Sequence, residues 1–143
     1  MRDLGDESGF TLIEILTVVV ILTVLISLAV PAYFAFTAAA QTAGGKANVR
    51  SAIPAAEQMN NANGSYAGMT GAALRSTASG IAPAVKAVAV NSNLGFCIQD
   101  TENAGVTFYS YVGGNAGSAL QSGYSTGTVQ AGTCLQAVGV AAS

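Results

Sequence analysis

Gly9-Phe10-Thr11-Leu12-Ile13-Glu14, continued by a run from Ile15 to Ala40 in which no residue carries a charge, decides the fold. The polar interruptions in the run are Thr17, Thr23, Ser27 and Thr37. As a helix rising 1.5 Å per residue it would be roughly 39 Å long, more than the ~30 Å hydrocarbon core of a bilayer. A secretory signal has a shorter apolar region of roughly 7–15 residues, with a small-residue cleavage site after it. Here Val30-Pro31-Ala32-Tyr33 leads on into further apolar sequence, so the expectation is a retained membrane helix. Two residues do not suit a plain anchor. Glu14 places a carboxylate near the start of the apolar stretch, where it costs less than the ~2.5–3.5 kcal/mol expected at a helix centre but still needs a partner. No Lys or Arg lies within a turn of it, so the positive charge must come from outside this helix. Pro31 removes a backbone hydrogen bond and loosens the turn before it.

The remaining composition narrows the function. Only 8% of the 143 residues are charged, against about 25% in ordinary soluble chains. There is no His and no Trp, which excludes imidazole catalysis and His-ligated metals. Arg2, Asp3, Asp6 and Glu7 lie in the first nine positions, and the rest of the chain carries equal numbers of each sign. A nucleic-acid footprint built on bulk positive charge is therefore not available.

The Gly9–Glu14 hexapeptide, preceded by a short charged leader and followed by the apolar run, resembles the type IV prepilin signature. The resemblance covers about 30 residues. It implies a cut by prepilin peptidase between Gly9 and Phe10, N-methylation of the new Phe10 amine, and Glu14 as the acid used in assembly. Pro31 falls where family members carry a helix-loosening proline. Cleavage also supplies the missing charge, because a free α-amine is normally cationic near neutral pH. The Phe10 amine points along the axis and does not easily reach its own Glu14. In a helical stack the Glu14 carboxylate of one chain would meet the Phe10 ammonium of its neighbour, and leaving either alone in an apolar core is expensive.

Beyond Ala40 the helical pattern continues. Val49, Ala52, Ala56 and Met59 form an apolar stripe, with Lys46, Arg50 and Glu57 on a charged stripe rotated from it. Ile53 falls on the charged side, where a neighbouring subunit would cover it. Gly44-Gly45 and Pro54 weaken the helix locally and predict a bend. Asn60-Asn61-Ala62-Asn63-Gly64 should end it. The expected division is residues 1–9 as leader, 10–40 as transmembrane and filament-core helix, 41–61 as its amphipathic continuation, and 62–143 as a head domain. Within the head a short helix is expected over Thr70–Arg75, loop over Ser76–Pro83 and a strand over Val85–Val90. Leu94, Phe96 and Ile98 alternate with Gly95, Cys97 and Gln99, which predicts a strand with one buried face. Further expectations are a hairpin loop over Asp100–Gly105, a strand over Val106–Val112 broken by Gly113-Gly114-Asn115, and a strand near Ser125–Gln130. The fold class is α+β: a long kinked N-terminal helix packed on three or four antiparallel strands.

Cys97 and Cys134 enclose a loop of about 40 residues, for which chain entropy gives roughly 4 kcal/mol of stabilisation if closed. They read either as unrelated buried thiols or, in an exported domain with two Cys, as a disulfide. The resemblance agrees with the bond, since pilins often staple the C-terminal segment to the sheet this way. Asp100 and Glu102 offer oxygens that would suit Ca²⁺, or form a solvated hairpin tip, and the latter is the expectation. Gly113-Gly114-Asn115-Ala116-Gly117 lacks the GK[ST] of a phosphate loop. Asn63-Gly64-Ser65 matches a glycosylation acceptor, but a turn explains the same residues. No catalytic set, cofactor or metal site is expected.

The resemblance thus implies a structural subunit, not an enzyme: a pilin that polymerises with itself into a type IV pilus, with adhesion, twitching motility and DNA uptake all open. Its partners would be prepilin peptidase, the pilus assembly machinery and the cytoplasmic membrane before extraction, with DNA or a host surface as later contacts. The alternatives are a major pseudopilin of a type II secretion system and a single-pass anchor carrying a small binding domain.

Overall fold

The computed structural model describes residues 9–100 and 108–143. Its elements are α1 (Leu12–Asn63), α2 (Gly71–Thr77), β1 (Val85–Val90), β2 (Gly95–Asp100), β3 (Tyr109–Gly114), a 3-10 turn (Gly117–Ala119), β4 (Val129–Ala131) and α3 (Cys134–Val138). The chain divides into two compact units, Met1–Thr37 and Ala38–Ser143, with α1 contributing to both.

The first unit holds the apolar start of α1. Every described side chain from Gly9 to Phe36 is exposed, including Leu12 at 85% and Phe36 at 75%. This helix is long and apolar enough to cross a membrane. Thr17, Thr23, Ser27 and Thr37 each donate their hydroxyl to the carbonyl three residues earlier, at 2.7–3.0 Å. That bonding is how a helix keeps hydroxyls satisfied where water is absent. The helical assignment continues through Pro31 and Pro54.

In the second unit α1 turns amphipathic. Gly45, Val49, Ala52, Ala55 and Ala56 are buried, and the last four share one core cluster with residues of the sheet, with Met59 packed against it. Ile53 packs partly buried against this core as well. That corrects the placement of Ile53 on an outward face: the stripe is wide enough to take in the next residue round the helix. Gly64, in the left-handed conformation at φ 70°, follows the last helical residue, and its N–H bonds the Asn60 carbonyl at 2.7 Å.

The sheet is a four-stranded antiparallel meander ordered β1-β2-β3-β4. Register pairs Val85 with Asp100, Phe96 with Gly113, and Tyr111 with Val129. Val85, Ala87, Phe96 and Ile98 face α1 and join its core with Tyr66, Met69, Leu74 and Ile81. The opposite face carries Val90, Cys97 and Val112 into a second cluster with Ala116, Cys134, Ala137 and Val138. Every β2 residue is therefore buried, which corrects the expectation of one buried face. Leu94 is 55% exposed in the turn before the strand. Gly113 and Gly114 do not break β3 but complete it, because the Phe96 ring lies over Gly113 where a Cβ would collide with it. The last strand is Val129–Ala131 rather than Ser125–Gln130. Residues 101–107, and with them most of the expected hairpin loop and the start of the expected Val106–Val112 strand, lie outside the described residues.

Candidate functional site

The first turn of α1 gathers the chemistry. Thr11 stands immediately before Leu12 and acts as the N-cap. Its backbone N–H and its hydroxyl both donate to Oε2 of Glu14, at 2.8 and 2.6 Å. The Glu14 N–H in turn bonds the Thr11 hydroxyl oxygen at 3.3 Å. This is a reciprocal capping box, with a carboxylate three residues into the helix where the positive end of the macrodipole favours it. Gly9, Phe10, Thr11 and Glu14 line an open hollow of about 450 Å³, and Phe10 is 85% exposed. Gly9, Phe10 and Glu14 are thus brought together, whereas Pro31 and Pro54 lie further along the helix.

Thr11 was not among the residues expected to carry function, although its signal was present as T-x-x-E ahead of an apolar run. Glu14 has partners in its own turn, though none of them is a cation. They are a neutral hydroxyl and an N–H, which hold one carboxylate oxygen without cancelling the charge.

The polar features of the second unit are structural. Cys97 and Cys134 form a disulfide, Cα–Cα 5.8 Å, with both residues fully buried. The Cys134 N–H donates to Gln99 Oε1 at 2.7 Å. Tyr66 donates its phenol to Glu57 Oε2 at 3.0 Å, and burial together with that carboxylate pushes its pKa up to about 12. Lys46 sits 5.0 Å from the Tyr109 ring centroid. Asp100 is not part of a solvated tip: it is 3% exposed at the end of β2 and accepts from Asn48 of α1 at 3.3 Å. Glu102 lies outside the described residues.

Residues 5–30 match the family described as the prokaryotic N-terminal methylation motif. The chain carries the signature of type IV pilin-like prepilins. That signature covers the capped first turn and most of the exposed apolar run. No curated protein and no solved structure matches the chain. Families with this motif are structural rather than enzymatic, and among the described residues no group of three or more Cys, Asp or Glu is placed to hold a metal.

Proposed function

We propose that this chain is a pilin: prepilin peptidase removes residues 1–9, Phe10 is N-methylated, and the mature chain polymerises into a type IV pilus. The observation that carries the reading is Glu14, the only charged residue between Phe10 and Ala40, held on one oxygen by Thr11 at the mouth of an exposed apolar helix. The Glu14 Oε1 atom faces no hydrogen-bond donor in its own turn, and is available to the Phe10 ammonium of a neighbouring subunit. In this reading Phe10 and Glu14 set the register between subunits. Residues 10–40 form first the membrane span and then the fibre core, with Pro31 and Pro54 as points of bending. Residues 41–61 continue as the spine of the head, and 62–143 form the fibre surface.

The pseudopilin reading shares the same first turn, and the Cys97–Cys134 staple favours the pilus over it. The deciding experiment is the intact mass of the protein in filaments sheared from cells. The expected result is a chain starting at Phe10, one methyl group heavier, and lighter by the two cysteine hydrogens until reduced. A mature chain found only in the membrane fraction moves the pseudopilin ahead, and a chain still starting at Met1 returns the plain anchor.

A further inference from the structure

The apolar half of α1 is not uniform along its length. Aromatic residues stand at its two ends, Phe10 at the start and Tyr33, Phe34 and Phe36 at the other, with none at positions 11–32. Those last three are exposed, and the Tyr33 and Phe34 rings meet edge to face at 6.1 Å between centroids. None of them belongs to either core of the second unit. Phe36 is also the last large apolar residue before Val49. The hydroxyls of this stretch divide in the same way. Thr17, Thr23, Ser27 and Thr37 each bond a backbone carbonyl of the helix and need nothing from outside it. The Tyr33 hydroxyl has no such bond among the described residues, so its partner must come from the surroundings.

We infer that Tyr33, Phe34 and Phe36 form a belt whose partner is the headgroup boundary of a lipid bilayer, and that this belt sets the depth of α1 so that Glu14 lies at the opposite boundary. The spacing supports it. From Glu14 to Tyr33 the helix rises about 29 Å, close to the ~30 Å hydrocarbon core. A tyrosine is most at home where acyl chains meet headgroups, with its ring in the one and its hydroxyl in the other. Were the hydrocarbon to reach Ala40, Tyr33 would sit about 10 Å inside it with its hydroxyl unpartnered, which is costly. The hydrocarbon-spanning part of residues 10–40 therefore ends at Phe36, and residues 37–40 lie in the headgroup layer. The far end of the span then holds the Glu14 carboxylate close to the surface, where a charge costs least. The inference rests on the membrane reading of this helix and not on the pilus.

The test places the full chain in phosphatidylcholine bicelles and follows its backbone amide signals as a water-soluble gadolinium chelate is added. Amides inside the hydrocarbon keep their signals, and those outside it broaden as exposed amides of the second unit do. The expected edge lies at residues 33–36, with residues 15–30 kept and residues 37–41 broadened. Tyr33→Leu, Phe34→Leu and Phe36→Leu made together keep good helix formers at these positions but remove the preference for the boundary. The edge should then slide toward Gln41 by about one turn, a rise of roughly 5.4 Å. An edge at Ala40 or beyond in the unaltered chain overturns the belt, whether or not the variant folds. So does an edge that stays in place in a variant whose second unit keeps its signals. Protection of residues 33–40 that fades as lipid is added at fixed protein makes a second copy the partner of these rings, and overturns it too. Broadening throughout residues 15–30 brings down the membrane reading itself.

Discussion

At Glu14 a carboxylate sits on a helix that is otherwise apolar, and the first turn partly satisfies it before any neighbour arrives. Thr11 gives it two short hydrogen bonds on one oxygen, which lowers the cost of keeping a charge in apolar surroundings. The two residues should therefore fail differently. Glu14→Ala leaves the protein inserted but unassembled, read as membrane protein with no sheared filaments; normal filaments from that variant would sink its assembly role. Thr11→Val keeps the backbone N–H bond and loses the hydroxyl bonds, so filament yield should fall without vanishing. In the head, Tyr66 makes stability depend on alkaline pH. Its folded pKa is raised from 10.0 to about 12, so the folded state holds the phenol proton more tightly than the unfolded chain. The contribution is complete below pH 10 and is lost as pH rises through about 12. Urea titrations across that range should show the loss, and Tyr66→Phe should flatten it while costing about 1 kcal/mol near neutral pH. Ser110 runs the other way: its hydroxyl is buried with no partner among the described residues, so Ser110→Ala should be neutral or stabilising in the same titrations.

Between elements, the sheet is held from both faces, and its two clamps differ in kind. On the α1 face, Phe96 stacks between Tyr66 and Tyr111 at 4.7 and 5.8 Å between centroids, over the flat backbone of Gly113. Gly113→Ala should drive a methyl group into that ring and cost about 1–3 kcal/mol by overpacking, measured as a shift in denaturant midpoint. On the other face the clamp is covalent, and the Cys97–Cys134 bond closes a separation of 37 residues. Several of these elements were legible in the chain. Val85–Val90 reads as a strand from its β-branched residues, and the Val49–Met59 stripe reads as the buried side of a helix from its spacing. The second core was not legible, because Ser-, Gly- and Ala-rich sequence after residue 115 has no hydrophobic period to read. Its helix α3 announces itself only through Thr133 and Gln136, a capping box with bonds of 2.8 and 3.3 Å. The same T-x-x-E/Q device starts α1. In both places the local signal was short enough to be outweighed by composition around it, which is why Glu14 was found from its charge and Thr11 was not.

For the whole molecule, the two units obey opposite solvents. Eighteen large apolar side chains between Phe10 and Phe36 are exposed; sheltering them is worth on the order of tens of kcal/mol, more than the whole stability of an ordinary domain. No water-facing arrangement of the first unit competes with a bilayer or with a sheath of other apolar helices. In the second unit the balance reverses. Val49, Ala52, Ala55 and Ala56 already pack with the sheet residues in one core, and the far face is stapled by the disulfide. The apolar half of α1 therefore needs apolar surroundings, and the amphipathic half supplies part of the head's core. A chain begun at Ala38 should fold in water as a monomer with the Cys97–Cys134 bond formed. One begun after Glu57 uncovers Phe96, Ile98 and Ala87 and should aggregate or stay unfolded. Size-exclusion chromatography and near-ultraviolet circular dichroism of the two truncations separate these outcomes. A folded, soluble product from the shorter chain would mean that the α1 stripe is not part of the head's core, and a chain from Ala38 that remained insoluble would mean that the head depends on the membrane helix for more than its position.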